Sequence, residues 1–187
     1  VRKPLALRPP FLYLAFMLYF LNGFMGSGKS HWGRHWAKVF DLEFHDLDAV
    51  IEAQEGKTIR EIFEGQGEPA FRRIERGALE TVMDKRNAII ACGGGTPCFQ
   101  DNVKRMNRAG ITIWLKTPVD ALVERLLPEL AHRPVIAHTN AETLPAFILG
   151  KLAEREPFYY RCYYHFYTPY LTDENFKKLV DKCKRHS

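Results

Sequence analysis

The 187 residues carry 27 Lys and Arg against 22 Asp and Glu, a formal charge of +5, with 46% hydrophobic and 26% charged residues. That composition excludes disorder, collagen and coiled coil. At this length a compact fold hides roughly 70% of its unfolded surface, so no metal or disulfide staple is required. Cys92, Cys98, Cys162 and Cys183 form no C-x-x-C pair and suit a reducing, cytoplasmic setting.

The first apolar run, residues 11–21, would span about 17 Å as a helix against a hydrocarbon core of about 30 Å, so no membrane span is expected. Arg2, Lys3 and Arg8 imitate a signal peptide, but no small-residue cleavage site follows them. Residues 1–16 read as an N-terminal appendage, and residues 17–187 as one domain in which apolar strands alternate with helices, the pattern of a parallel sheet. The expected strands are 17–21, 43–46, 88–92, 111–115 and, less regularly patterned, 163–167. Four of the five are short and apolar, as strands covered on both faces should be.

Directly after the first strand, Gly23-Phe24-Met25-Gly26-Ser27-Gly28-Lys29-Ser30 matches G-x-x-x-x-G-K-[ST] and opens an amphipathic helix. Glycines there let backbone N–H groups converge on phosphate oxygens at a helix N-terminus. Lys29 adds a point charge and Ser30 a hydroxyl for Mg2+, so ATP with Mg2+ is the implied pair. His31 and His35 on that helix lack the H-E-x-x-H pattern and read as a solvated pair, with Trp32 and Trp36 as packing.

The acceptor must be read from the remainder. Asp46 and Asp48 follow the second strand and are expected to project to one face at a carboxyl end of the sheet, where open parallel sheets bind ligands. One would orient an Mg2+ water and the other accept a hydrogen bond from an attacking hydroxyl, unless both are solvated turn residues. Arg72 and Glu75 are helical i,i+3 neighbours, either a surface pair or a held guanidinium that grips a carboxylate. Gly93-Gly94-Gly95 ends the third strand, which fits a tight turn or a ligand against bare backbone, and Thr96-Pro97 is expected to open a helix. Thr117-Pro118 opens another over Leu122, Val123 and Leu126.

Between residues 128 and 140 the apolar periodicity lapses, predicting a long mobile loop with Arg133 inside it, a lid whose arginine is either solvated or swings onto phosphates. Arg155, beside Pro157 on a helix, is a second carboxylate ligand candidate. Thr172 caps a last helix carrying Phe176, Leu179, Val180 and Cys183 at core spacing. The basic tail has no recognisable nucleic-acid module, so no nucleic-acid partner is expected.

Together the phosphate loop, Asp46-x-Asp48, Ile59-x-x-Ile62-Phe63, Gly67-Glu68-x-x-Phe71-Arg72-x-x-Glu75, the triple glycine, Arg133-Pro134 and Arg155-x-Pro157-x-Tyr159 resemble the shikimate kinase family. The resemblance implies an α/β, three-layer P-loop fold of the nucleoside-monophosphate-kinase type, with a five-stranded parallel sheet of order 2-3-1-4-5 and a lid. It implies transfer of the γ-phosphoryl group of ATP to the 3-hydroxyl of shikimate by a monomer. Asp48, Arg72, Gly94 or Gly95, and Arg155 would hold shikimate. Gly26, Ser27, Gly28, Lys29, Ser30 and His31 would wrap ATP, Arg125 would flank adenine, Arg133 would be the lid arginine, and Ser30 with Asp46 would serve Mg2+. Lys29, Asp48 and Arg133 would be catalytic. His31 departs from the usual Thr, and residues 168–171 carry no clear adenine-loop signature. The competing readings are gluconate kinase or another P-loop small-molecule kinase, and a non-catalytic nucleotide-binding module.

Overall fold

In a computed structural model, residues 17–133 and 135–184 are described. The expectations placed on residues 1–16 and on Pro134 fall outside them. Five parallel strands, β1 (Leu18–Asn22), β2 (Glu43–Asp46), β3 (Ala88–Ala91), β4 (Ile111–Lys116) and β5 (Tyr164–Tyr167), form one sheet of order β2-β3-β1-β4-β5. Register follows from paired burial: Leu18 to Leu21 lie against Ala88 to Ala91, and Tyr19 to Asn22 against Ile111 to Trp114.

The alternating faces of the three inner strands supply two cores. Leu18, Phe20, Ala88, Ile90 and Trp114 meet α2 (Leu47–Glu55), α3 (Ile59–Met83), α4 (Asn102–Ala109) and α6 (Leu144–Tyr159) on one side. Tyr19, Leu21, Ile89, Ile111, Ile113 and Leu115 meet α1 (Lys29–Phe40) and α7 (Asp173–Lys184) on the other. Helices on both faces with a parallel sheet between them give the three layers. Among the described strands, β1 and β3 are buried throughout and β4 is buried up to Lys116. β2 and β5 are edge strands with residues open to solvent, so coverage of four strands overstated the burial.

Caps explain several boundaries. α3 begins with a reciprocal capping box between Thr58 and Glu61. Gly67 interrupts it at φ 76° and ψ 172°, a conformation natural only to glycine, and Pro69 enters the second half. Thr172 and Asn175 form half a box at α7: the Thr172 N–H donates to Asn175 Oδ1 at 2.8 Å. Two expected starts shift. Thr117 makes no cap bond, and α5 (Val119–Leu126) starts after Pro118. Thr96-Pro97 opens only a 3₁₀ turn, and α4 waits until Asn102.

The 128–140 segment is more structured than a mobile loop. A 3₁₀ helix covers Leu127–His132, turns follow, and Ile136 is fully buried in a third core with Phe24, Leu122, Leu126, Leu144 and Ile148. Two isolated apolar anchors, Ile136 and the partly buried Leu130, leave no periodicity to read, which is why the sequence missed it.

Candidate active site

At the carboxyl ends of β1, β3 and β2 the chain places three different devices around one cleft. The first is the phosphate loop between β1 and α1. Gly28 caps α1 in the left-handed region, at φ 89°, which releases the first N–H groups of the helix toward the loop. Lys29 Nζ donates to the carbonyls of Gly23 and Phe24, each at 2.9 Å. Burial, opposed by the Asp48 carboxylate, lowers its pKa to about 8. Arg133 bears on the same ammonium electrostatically and lowers it further, while its own side chain lies half exposed with Glu129 3.9 Å away. Arg125 Nη1 donates to the Gly26 carbonyl at 2.9 Å and so stiffens the loop from behind. Ser27 is buried within the loop, and His31 is exposed with its ring edge against Trp32.

The second device is the β2–α2 junction. Ser30 Oγ donates to Asp46 Oδ2 at 2.6 Å, so a hydroxyl and a carboxylate from distant segments meet at the loop. Asp46 and Asp48 do not share a face by strand alternation, as the spacing suggested. The chain turns helical at Leu47, and Asp46 becomes the N-cap of α2, its Oδ1 accepting the Asp48 N–H at 3.2 Å. Asp48 thus sits in the first helical turn. Its residue surface is open to the cleft, but its carboxyl is flanked by protein. That desolvation, with Asp46 and Glu75 nearby and only Lys29 opposing, raises its pKa to about 6.

The third device surrounds the triple glycine. A Cβ on Gly93 would stand 3.2 Å from Asp48 Oδ1 and 3.1 Å from Glu75 Oε1. On Gly94 it would stand 3.1 Å from Arg155 Nη1, and on Gly95 2.8 Å from Arg72 Nη2. Bare backbone is therefore the condition under which two arginines and two carboxylates converge on one turn. The surface-pair reading of Arg72 and Glu75 is excluded, because the Glu75 side chain is 1% exposed and that of Arg72 11%. Glu75 Oε2 accepts from Arg72 Nη1 at 2.8 Å, and its Oε1 accepts from the buried Thr96 hydroxyl at 2.6 Å. Glu68 takes Nε and Nη2 of Arg72 at 3.2 and 2.9 Å, and the guanidinium lies 3.9 Å over the Phe99 ring. These bonds use three of five guanidinium N–H donors, leaving one on each η nitrogen for a two-point grip.

Arg155 reaches the same turn from α6. Its guanidinium lies 5.4 Å from the Phe24 ring centre, and its Nη1 is buried with no hydrogen-bond partner. Sequence reasoning gave no part to Thr96 as the brace of Glu75, to Phe99 as the stacking surface, or to Tyr159, whose hydroxyl donates to the Gly94 carbonyl at 2.6 Å. Only Tyr159 carried a signal, its i,i+4 spacing from Arg155 on one helix face. The solvated-histidine reading also needs amendment: His35 Nε2 lies 2.7 Å from Asp173 Oδ1, which accepts from Trp36 Nε1 as well.

A family model described as Shikimate kinase matches residues 25–184. The shikimate kinase of Parabacteroides distasonis is 44% identical over 140 residues, covering 75% of this chain and 81% of that protein. That of Bacteroides thetaiotaomicron is 40% identical over 154 residues, covering 82% and 88%. Its crystal structure superposes with a TM-score of 0.75 at 38% identity over 82% of this chain and 86% of that one. Shikimate kinase from Acinetobacter baumannii, solved in complex with shikimate, gives a TM-score of 0.75 at 30% identity over 89% and 90%. With the family model matching most of the chain and these relatives at 30–44% identity, the chain belongs to the shikimate kinase family, kinases that transfer a phosphoryl group from ATP to a hydroxyl group of shikimate.

Proposed function

We propose that the cleft binds shikimate with its carboxylate between Arg72 and Arg155 and its 3-hydroxyl against Asp48, facing ATP on the phosphate loop. The observation that carries this reading is the convergence of Arg72, Arg155, Asp48 and Glu75 on the side-chain-free turn Gly93-Gly94-Gly95. Two cations at one end and one base at the other fit an acidic polyol. The Acinetobacter baumannii relative bound to shikimate supports the same class of small-molecule substrate.

In this reading the N–H groups of Gly26, Ser27, Gly28, Lys29, Ser30 and His31 cradle the phosphates, and Arg125 flanks the adenine end. Lys29 exchanges the Gly23 and Phe24 carbonyls for phosphate oxygens. Asp48, with its raised pKa, accepts the hydroxyl proton as the oxygen attacks phosphorus. Arg133 moves from Glu129 toward the transferring group, where such an arginine is worth about 10³ to 10⁵ in rate. Gly94 and Gly95 leave room for the ring. The Ser30 hydroxyl and Asp46 carboxylate, already 2.6 Å apart, are two hard oxygen donors of the kind Mg2+ takes while keeping several waters. When bound there, Mg2+ would neutralise charge on the phosphates.

We further propose a single-domain, monomeric enzyme working in the cytoplasm, with residues 128–140 as its lid and residues 1–16 as an appendage. The free thiols of Cys92, Cys98 and Cys162 suit that compartment, and among the described residues no helix is long and apolar enough to cross a membrane. The test is steady-state ADP release with shikimate or gluconate as acceptor, in parent and Arg72→Ala. Turnover of shikimate, with its KM raised about 100-fold in the variant and the ATP KM within about twofold, is expected for a two-point charged contact. An unchanged shikimate KM overturns the carboxylate clamp.

A further inference from the structure

The turn that gathers the site offers three carbonyls, and each already has a donor. Gly93 O accepts from the Thr96 N–H at 3.1 Å, and Gly95 O from the Cys98 N–H at 2.9 Å. Gly94 O accepts from Tyr159 Oη at 2.6 Å. The first two are local turn bonds. The third crosses 65 positions of sequence and comes from a fully buried side chain at the end of α6.

Arg155 stands one turn earlier on the same helix face as Tyr159. Its Nη1 lies 3.1 Å from the Cβ position of Gly94, is buried, and has no partner. A buried guanidinium N–H without a partner is costly, which favours an incoming acceptor. The Tyr159 phenol takes one of the two acceptor positions of the Gly94 carbonyl, and its oxygen bears on the Arg155 guanidinium, whose Nη1 still has no partner.

We propose that Tyr159 is a positioning residue for substrate recognition: anchored on the Gly94 carbonyl, it holds the Arg155 guanidinium one helical turn away so that Nη1 stays available for the incoming carboxylate. This rests on the assignment of Arg155 to the carboxylate given above. Burial raises the phenol pKa, so the group remains a protonated donor throughout the working range. Its ring also packs 5.6 Å from that of Trp114, a contact a phenylalanine would keep.

The experiment is a kinetic cycle on the full chain: parent, Tyr159→Phe, Arg155→Ala and the double variant, each assayed for KM of shikimate and of ATP. Tyr159→Phe is expected to raise the shikimate KM about ten-fold with the ATP KM within about twofold. In the Arg155→Ala background the same change should move the shikimate KM by less than about twofold, because the group it acts through is gone. A second readout uses the analogue in which the carboxylate is reduced to a primary alcohol. Preference for shikimate over that alcohol should fall in Tyr159→Phe, whereas a purely structural role lowers both activities together. Equal KM factors in both backgrounds, or parallel losses on both acceptors, overturn the proposal. If Arg155→Ala alone leaves the shikimate KM unchanged, the carboxylate assignment has failed, and the role of Tyr159 fails with it. Should the Phe variant not fold, 4-aminophenylalanine at position 159, which keeps a donor on the ring, should retain the parent KM. A ten-fold rise there also overturns the proposal.

Discussion

Across the cleft, the phosphate side and the acid side are built from different materials. On the phosphate side a contiguous glycine-rich turn presents backbone, and its charged group, Lys29, lies on carbonyls five and six residues back. On the acid side the working groups are side chains from α2, α3 and α6, and the contiguous element, Gly93 to Gly95, contributes by having none. A phosphate is recognised by many convergent N–H dipoles, which one loop can supply. A carboxylate and a reacting hydroxyl at opposite ends of one ring need separated charges of both signs, which no single loop supplies. The comparison predicts that acid-side substitutions split by role, whereas phosphate-side ones act on ATP as a unit.

Asp48→Asn provides the largest break. It keeps the shape and the first-turn position in α2 while removing the base, and kcat should fall about 10³-fold, within the range for general base loss, with both KM values changed less than about threefold. Because the folded pKa lies near 6, above the ordinary value of 3.8, ionisation of Asp48 opposes folding as pH rises between those values. The variant should therefore melt higher than the parent above pH 7. That gap should close as pH falls through 6 toward 4, as thermal melts across pH will check. A variant that melts lower at pH 8 would mean that the Lys29 contact outweighs the desolvation of Asp48 and the repulsion from Asp46 and Glu75.

The pH profile sharpens the same contrast, since each side supplies one limb. In the free enzyme kcat/KM for ATP should rise as Asp48 loses its proton near pH 6 and fall as Lys29 loses its own near pH 8. Bound phosphate favours the charged ammonium, so the alkaline limb of kcat should move upward while the acid limb stays. Should both limbs of kcat coincide with those of kcat/KM, Lys29 is not the group that meets phosphate.

These contrasts also explain what the sequence made legible. The phosphate loop lies within eight consecutive residues, and β2 falls on residues 43–46 as expected. β3 declares itself by continuous burial, whereas β5 alternates half-exposed and exposed residues, and β1 and β5 each begin one position later than expected. Arg72, Asp48 and Arg155 were named from spacing and resemblance, but their convergence depends on contacts that no periodicity encodes. Tyr159 to Gly94, Thr96 to Glu75 and Phe99 under Arg72 join segments tens of residues apart. The Asp46 and Asp48 pair shows the opposite error: a strand rule was applied one residue past the point where a helix had begun.

Gly95→Ala tests whether absence of a side chain is itself a device. Its φ is −94°, so an alanine there is unstrained, and the atoms nearest to the added methyl are those of the Arg72 guanidinium, at 2.8 to 3.1 Å. Arg72 must then move by a few tenths of an ångström against Glu75 and Phe99. The shikimate KM should rise about ten-fold with stability near the parent value, since a small misplacement of a bidentate donor is enough for that loss. Substrate calorimetry together with a thermal melt separates this outcome from general unfolding.

The smallest effect belongs to the solvent-exposed partner of Arg72. Glu68 makes two bonds to Arg72 at i,i+4, yet its side chain is 54% exposed, and such pairs contribute about 0.3 to 0.5 kcal/mol. Glu75 makes one bond to Arg72, is 1% exposed, and is itself braced by Thr96. Breaking a buried pair costs far more than an exposed one, because the remaining charge has no water to turn to. Glu68→Gln should therefore raise the shikimate KM less than about threefold, and Glu75→Gln at least about ten-fold, with the guanidinium still stacked on Phe99 in the first case. If the two substitutions weigh equally, the acid side is held from its solvent rim, and burial of Glu75 serves the fold rather than the grip.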